Sequence, residues 1–305
     1  MAVKTAGAVL SLVLALFLSA PQSLAGQKEI PPGLEDMLKK MGGGGEKNQA
    51  LEAARMAGVG KRGFSLEQEY YLGRGVAAMI LSKYKPLVCK QANAYLNMIG
   101  QLAAFASEAP ETFAGYHFII LDTDEVNGLA APGGLIFVTK GLVRCCGSED
   151  GLAAILAHEV AHVQHRHGIK SIKKSRMNAA LVGMSLDLAR RELKGKAAEM
   201  FNIFEGCISD VFLTLVNTGY AREMEYEADK TAVDILKRLG YDPRGLVQTL
   251  LAMEEKTSGQ PKGWAKTHPD PGKRYLNIRE LIGGYEEVRP PETRRIRFKE
   301  ALKNL

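Results

Sequence analysis

The chain has 305 residues, of which 46% are hydrophobic, and a formal net charge of +6 at pH 7. This apolar fraction is that of a globular protein, and the length is sufficient for one large or two small domains with a proper core. The positive charge is spread along the sequence and forms no recognisable nucleic-acid module, so no nucleic-acid partner is predicted.

Residues Met1 to Ala25 are organised like a secretory signal peptide. Lys4 precedes an apolar stretch from Ala8 to Leu18, and Ser23-Leu24-Ala25 offers small residues for cleavage. The apolar stretch is shorter than a membrane span, and no cysteine follows it to accept a lipid. We therefore expect cleavage after Ala25 and export to a periplasm. An uncleaved N-terminal anchor is the alternative.

Three segments follow the predicted signal peptide. Residues 26–63 are rich in Gly, Lys and Glu and are predicted to form a flexible leader. Residues 64–282 are predicted to form the folded domain, and residues 283–305 a basic tail. Basic runs at Lys170 to Lys174 and Arg294 to Lys299 are typical of solvated faces. Contact with an anionic membrane surface or an acidic envelope protein is the alternative.

The first part of the folded domain combines helices with a small sheet. A capping box at Ser65 opens a helix that runs through Tyr84, and a second helix covers Lys90 to Ala106. Two short β-rich runs follow, at Tyr116 to Leu121 and at Gly134 to Thr139, with turn residues between them. The order of elements predicts an α+β fold, mostly helical, with the sheet just before the next helix.

That next helix carries the motif His158-Glu159-Val160-Ala161-His162. Residues four apart lie on one face of a helix, so both imidazoles can bind one Zn²⁺ while Glu159 points at the open position of the metal. Ser148 suits the N-terminus of this helix and Gly168 its C-terminus. The motif indicates a zinc hydrolase, although an amphipathic helix with two unrelated histidines has the same local pattern.

A catalytic zinc usually takes a third protein ligand, which must come from another segment. Helices are predicted for Asn178 to Glu205 and for Arg222 to Leu239, and Asp242-Pro243 starts another. In the second of these, Glu225 and Asp229 are four residues apart. Glu225 can therefore bind zinc while Asp229 accepts the far N–H of a ligating histidine. This division of roles favours Glu225 over the neighbouring carboxylates, Glu223 and Glu227.

Together, several motifs give the chain a specific resemblance. They are the HEVAH motif, the segment Ala221 to Asp229, the turn Asn127 to Gly134, and Thr267-His268-Pro269 followed by Arg274. In this order they resemble the gluzincin family of HtpX, the CAAX prenyl proteases and the periplasmic protease BepA, over about Ser65 to Ile282. Ala221 stands where the family often has Ser. The membrane spans of HtpX and the C-terminal repeat domain of BepA have no counterpart, so particular substrates are not carried over.

The resemblance implies further site residues. His268 is expected either to stabilise the anionic oxygen of the tetrahedral intermediate or to occupy the fourth zinc position in a resting state. Arg274 is expected to bind a substrate carbonyl or to hold the His268 loop; a His-Pro turn with a surface arginine is the simpler alternative. Asn127, Gly133 and Gly134 are predicted to bind substrate, because the strand after Gly134 is a natural edge for β-strand addition.

The remaining histidines and cysteines have structural interpretations. His165 and His167 lie at the predicted end of the zinc helix, where cationic side chains suit the helix dipole. An exported chain permits disulfides, although the sequence does not assign their connectivity. Any bridge is expected to join Cys145 or Cys146 to Cys89 or Cys207.

The sequence thus predicts an exported zinc metalloendopeptidase with one Zn²⁺ per chain and polypeptide substrates. Glu159 is the predicted general base, which takes a proton from the attacking water and returns one to the leaving amine. An envelope chaperone or assembly factor with a mostly repressed zinc site is the first alternative. A module that binds anionic membrane surfaces is the second.

Overall fold

The computed structural model describes residues 64–173, 176–177, 197–256, 267–268 and 271–305. They fall into two compact units. The larger is formed by Leu66–Ile172 and Ile208–Leu305, and the smaller includes Arg176, whose Nη1 donates to the carbonyl of Gly206 at 2.8 Å. The predicted signal peptide, the leader and residues 178–196 of a predicted helix lie outside the described residues.

The two N-terminal helices lie where the sequence predicts them. Helix α1 spans Leu66–Lys83 and helix α2 spans Lys90–Phe105. Gly73 in α1 packs directly on the turn that follows the second strand, since a Cβ on Gly73 would lie 1.9 Å from the carbonyl oxygen of Pro132. A side chain at this position is therefore incompatible with the approach of α1 to the turn.

The sheet has three strands: β1 (His117–Leu121), β2 (Gly128–Ala131) and β3 (Leu135–Thr139). Their order is β1-β3-β2, with β3 parallel to β1 and antiparallel to β2. Two predictions are wrong here: the β2 residues were predicted to be part of a turn, and β3 was predicted to be an edge strand. Strand β3 is paired on both sides, so it offers no free edge for a substrate.

The outer edge of β1 is covered by side chains of α2. Asn93 Oδ1 accepts from the backbone N–H of Ile120 at 2.9 Å, and Asn97 Oδ1 accepts from that of Phe118 at 3.1 Å. The Asn97 amide also donates to the Phe118 carbonyl at 2.6 Å. These amides take the place of a fourth strand, which leaves β2 as the other edge of the sheet.

A short helix α3 (Lys140–Cys145) leads to the central helix α4 (Glu149–Gln164). The Ser148 hydroxyl accepts from the N–H of Gly151 at 3.1 Å, which confirms the predicted N-cap. Every residue of α4 from Glu149 to His162 is buried. The helix therefore runs through the core of the larger unit, surrounded by other elements rather than facing solvent on one side.

Helix α4 ends earlier than predicted. The chain turns at Arg166, whose φ of 56° is left-handed, and re-enters a short helix α5 (His167–Lys170). Gly168 is therefore inside α5 and not the C-cap of α4, so that prediction is wrong. The turn brings His167 back against α4, where it is fully buried.

Helix α6 spans Ala197–Leu213 and continues as a π-helical turn at Thr214–Thr218. Helix α7 (Arg222–Leu239) ends at Gly240, whose φ of 68° is the predicted left-handed C-cap. Helix α8 (Arg244–Lys256) begins after Asp242, whose Oδ1 accepts from the N–H of Arg244 at 2.9 Å. Both α7 and α8 pack on α4.

The C-terminal residues form α9 (Pro271–Ile282) and α10 (Glu292–Leu302). Helix α10 covers the start of α4: Arg297 donates to the carboxylate of Glu149, and Arg294 Nη1 donates to Asp150 Oδ1 at 3.2 Å. The interpretation of the tail arginines as a solvated run is therefore wrong for these two. They neutralise carboxylates at the N-terminus of the central helix.

All four cysteines carry free thiols. Cys145 and Cys146 are buried, and each thiol lies near a carbonyl of its own helix, that of Gly141 at 3.3 Å and that of Leu142 at 3.4 Å. Burial raises the pKa of Cys145 and of Cys146. Neither Cys145 nor Cys146 forms a bridge to Cys89 or Cys207.

Among the described residues, none of the helices combines the length and the apolar character that a membrane span requires.

Candidate metal centre

Helices α4 and α7 bring the predicted ligands together. His158 and His162 are one turn apart on α4, and their Nε2 atoms are 3.0 Å apart. Glu225, in the first turn of α7, faces both: its Oε2 lies 3.5 Å from the Nε2 of His158, and its Oε1 lies 3.5 Å from the Nε2 of His162. The crossing of the two helices therefore converges three donor side chains on one point.

His268 adds a fourth donor from a separate segment. Its Nδ1 lies 3.0 Å from Oε1 of Glu225 and 3.4 Å from Nε2 of His158. One ligand atom from each of the four side chains lies within 4.8 Å of the others. The site is closed to solvent: the exposed fraction is 0% for His158 and Glu225, 1% for His162 and 2% for His268.

These donors fit a zinc ion. Imidazole nitrogens and a carboxylate are zinc ligands, and tetrahedral ligation at about 2.0–2.1 Å places donor atoms roughly 3.3 Å apart. The observed separations of 3.0 to 3.5 Å bracket that value. Neither Glu223 nor Glu227 belongs to the group, so the placement agrees with the choice of Glu225.

The electrostatics of the site also favour a cation. Burial alone would lower the pKa of His158, but hydrogen bonds with Asp229 and Glu225 raise it to about 9. Burial would likewise raise the pKa of the Glu225 carboxyl, but the charges of His268 and Arg274 hold it well below its ordinary value. The Glu225 carboxylate is therefore held ionised at the point on which the imidazoles converge.

Asp229 lies behind a histidine of the donor group, which is the position predicted from its spacing to Glu225. Its Oδ1 is 3.0 Å from Nδ1 of His158, on the side of the ring away from the donor group. Such a contact orients a ligating imidazole and fixes its tautomer. Because Asp229 is one turn after Glu225, helix α7 supplies one donor side chain, Glu225, and also the carboxylate that contacts a second donor, His158.

Arg274 holds both of these carboxylates. Its Nε and Nη2 donate to the two oxygens of Asp229 at 2.8 and 2.6 Å, and its Nη1 lies 2.9 Å from Oε2 of Glu225. The side chain is completely buried. The structure thus places Arg274 beneath the carboxylates of Asp229 and Glu225.

Glu159 lies beside the donor group with its carboxylate unused. It is fully buried, and neither oxygen has a hydrogen-bond partner among the described residues. The ring of His268 lies nearby, with Nε2 at 3.9 Å from Oε1 of Glu159. Burial raises the pKa of Glu159, and the charge of Glu225 adds to the effect. A carboxylate in this state is a proton acceptor of increased basicity.

Two residues contact the ring of His162, and neither contact was predicted from the sequence. The ring of Tyr220 stacks on that of His162, with centroids 4.3 Å apart. Nδ1 of His167 lies 2.8 Å from Nδ1 of His162. Helical spacing gives no signal for His167, because the left-handed turn at Arg166 separates it from α4. His165 and His167 were both predicted to be structural residues at the end of the helix. Nε2 of His165 lies 2.7 Å from the hydroxyl oxygen of Thr231.

The predicted substrate-binding residues are all buried and contact the protein itself. Asn127 Oδ1 accepts from the hydroxyl of Thr267 at 3.0 Å, which anchors the residue before His268. Gly133 has φ 76°, and a Cβ there would lie 2.6 Å from Cα of Tyr70; Gly134 has φ 90°. The structure therefore brings Asn127 to the His268 segment, and the two glycines to a tight turn against α1.

Comparisons with known proteins agree with this arrangement. A model of peptidase family M48 matches residues 90–282. The beta-barrel assembly-enhancing protease of Escherichia coli O157:H7 is 27% identical over 191 residues, which cover 61% of this chain and 38% of that protein. The mitochondrial metalloendopeptidase OMA1 of Schizosaccharomyces pombe is 31% identical over 162 residues, 51% of this chain and 43% of that protein.

The metalloprotease YcaL of Escherichia coli K12 is 26% identical over 160 residues, which cover 52% of this chain and 59% of that protein. The chain spans about two fifths of the length of the beta-barrel assembly-enhancing proteases that it matches. The matched region contains His158, His162, Glu225, His268 and Arg274.

The burial of Arg274 leads to a stability prediction. Arg274→Ala leaves Asp229 and Glu225 without their cation in the core, and loss of one partner of a buried pair costs about 3–5 kcal/mol. We expect a decrease of that size in the free energy of unfolding, measured by urea titration of the metal-free protein. The control is Arg279→Ala on the same helix, at an exposed position, with a change within about 0.5 kcal/mol. Equal stability of the two variants would contradict the role of Arg274.

Proposed function

The chain belongs to peptidase family M48, and from this premise we propose that it is an exported zinc metalloendopeptidase that hydrolyses peptide bonds in misfolded or unassembled envelope proteins. The observation that carries the proposal is the Glu159 carboxylate, which is buried beside four donor side chains and has no hydrogen-bond partner among the described residues. An unpaired buried carboxylate costs free energy, and such groups are concentrated at functional sites.

We propose that His158, His162 and Glu225 hold one Zn²⁺. Their separations and chemical types support this assignment, and burial lowers the pKa of His162 well below its ordinary value, which keeps its ring neutral and able to ligate. When bound, zinc supplies Lewis acidity, which polarises a carbonyl and acidifies water. Asp229 and Arg274 act through the ligands that they orient and do not touch substrate.

Glu159 is the proposed general base. It accepts a proton from the attacking water and returns one to the amine that leaves when the peptide bond breaks. Neither of its oxygens has a competing hydrogen bond among the described residues, so both are available for that proton. Burial raises its pKa, which makes it a stronger base than an exposed carboxylate.

His268 is proposed to act either on the anionic oxygen of the tetrahedral intermediate or as a fourth donor that closes a resting site. The contacts support both roles, since its Nδ1 faces Glu225 at 3.0 Å and its Nε2 faces Glu159 at 3.9 Å. In the described arrangement its ring lies beside Glu159.

Substrate class and location are proposed from the sequence and the relatives. Polypeptide substrates follow from the protease family, and relatives named for enhancing β-barrel assembly favour envelope proteins. Periplasmic location rests on the predicted signal peptide, with membrane association as the alternative. Asn127, Gly133 and Gly134 are proposed to influence substrate only through the His268 segment and the turn that they shape.

Glu159→Gln tests the catalytic proposal. We expect it to retain zinc but to cleave a denatured outer-membrane protein about 10²–10⁴-fold more slowly, because the amide cannot accept the proton. Glu223→Gln, at an exposed position of α7, makes the same change of charge and should behave as wild type. Equal cleavage by the Glu159 variant and wild type would refute Glu159 as the general base, and a zinc-loaded wild type that does not cleave at all would refute the protease and favour the chaperone alternative.

His268→Ala separates its two proposed roles. If His268 stabilises the oxyanion, the zinc-loaded variant should have a turnover rate roughly 10²–10³-fold lower, as for the loss of one such donor. If His268 closes the resting site, the rate should rise. His117→Ala removes an exposed histidine and serves as the control. A His268→Ala rate equal to that of wild type would eliminate both roles.

Export can be tested by intact-mass measurement. Protein isolated from the periplasm should begin at Gly26, because the small residues Ser23 and Ala25 direct cleavage after Ala25. Ala25→Phe should block processing and serves as the control. Wild-type protein that retains Met1 in the membrane fraction would instead establish an N-terminal anchor.

A further inference from the structure

The two histidines of the proposed zinc site have different supports. His158 has a carboxylate behind it, with Asp229 Oδ1 at 3.0 Å from its Nδ1. Behind His162 lies another imidazole, with Nδ1 of His167 at 2.8 Å from Nδ1 of His162. The far nitrogen of His167, Nε2, lies 2.9 Å from Oε2 of Glu227. A chain of hydrogen bonds therefore leads from the second histidine through His167 to Glu227.

The positions of the protons in this chain follow from its geometry. His162 presents Nε2 to the donor group, where it lies 3.0 Å from Nε2 of His158. A ligating nitrogen carries no proton, so the proton of a neutral His162 is on Nδ1. Nδ1 of His167 must then accept, and its own proton is on Nε2, which donates to the carboxylate of Glu227. Only one set of tautomers satisfies every contact.

The surroundings of His167 prevent its ring from turning away. The residue is fully buried, and the left-handed conformation of Arg166 places it against α4. Both of its ring nitrogens are engaged, Nδ1 by His162 and Nε2 by Glu227, so that a rotation of the ring would break two contacts of buried polar atoms. Glu227 is 43% exposed and also lies 3.6 Å from the ammonium of Lys170, so a partly solvated carboxylate anchors the outer end.

We propose that His167 is a positioning residue for His162, and that Glu227 in turn positions His167. The chain of hydrogen bonds fixes the tautomer and the orientation of the second ligating ring, as Asp229 does for the first. This inference rests on the proposed zinc site. It assigns His167 a role beyond that of a cationic end of a helix.

The test compares two replacements of His167. His167→Asn retains an oxygen near the position of Nδ1 that can accept from His162, whereas His167→Leu fills similar space without an acceptor. We expect His167→Leu to weaken zinc affinity by about 10–100-fold, as for the loss of such a partner, and His167→Asn to restore most of the loss. Affinity is measured by competition between the metal-free protein and a chelating zinc indicator at pH 7.

The possible outcomes distinguish a failure of the proposed zinc site from a failure of the positioning role of His167. If wild type binds no zinc, the proposed site fails and this inference fails with it. If wild type binds zinc and His167→Leu has the same affinity, or if His167→Asn is as weak as His167→Leu, the positioning role alone is refuted. If His167→Leu does not fold, Glu227→Ala decides: it should bind zinc more weakly than Glu223→Ala, and equal affinities refute the role of Glu227 and His167.

The tautomers give a readout that a purely structural role would not affect. Long-range ¹H–¹⁵N correlation spectra of zinc-loaded wild type should show the proton of His162 on Nδ1 and that of His167 on Nε2. In Glu227→Ala the proton of His167 should remain on Nε2, because Nδ1 still accepts from His162, but its signal should lose the downfield shift that the hydrogen bond to the carboxylate produces. A His167 ring that carries its proton on Nδ1 in the wild type would contradict the proposal.

Discussion

Arg274 donates to both oxygens of Asp229 and lies 2.9 Å from Glu225, with none of its side chain exposed. Burying three charged groups is costly unless each is paired with good geometry, and this guanidinium satisfies both carboxylates at once. Through Asp229 the pairing reaches His158, and through Glu225 it reaches the point where the donors converge. The remainder of the site depends on this one interaction, because it fixes α7 and α9 to each other behind the two ligands.

The balance of charge explains why these groups remain together in the core. When Glu159, Glu225 and Asp229 are ionised and the histidines are neutral, Arg274 leaves two negative charges uncompensated in a site closed to water. A divalent cation would offset both charges, and among the described contacts of these carboxylates Arg274 is the only arginine or lysine. Against the effect of burial, hydrogen bonds with Asp229 and Glu225 raise the pKa of His158 to about 9. The contacts among His158, Asp229, Glu225 and Arg274 join α4, α7 and α9, and the packing of these helices in turn aligns the same side chains.

Local periodicity predicted the parts of the site that lie on single helices. The i, i+4 pairs His158 and His162, and Glu225 and Asp229, needed only helical geometry, and the family resemblance added His268. Long-range pairing was inaccessible to that reasoning. The sequence did not indicate that Gly128–Ala131 would be an edge strand and place β3 at the centre of the sheet. It also gave no sign that a left-handed turn at Arg166 would return His167 to helix α4.

The central claim is that His158, His162 and Glu225 bind one zinc ion at the crossing of α4 and α7. Crystals grown with zinc allow the most direct measurement, an anomalous difference map from data collected just above and just below the zinc absorption edge. We predict one peak at the convergence of these side chains, with the imidazole nitrogens at about 2.0–2.1 Å. A map without a peak there, or with zinc held by other residues, would contradict the account.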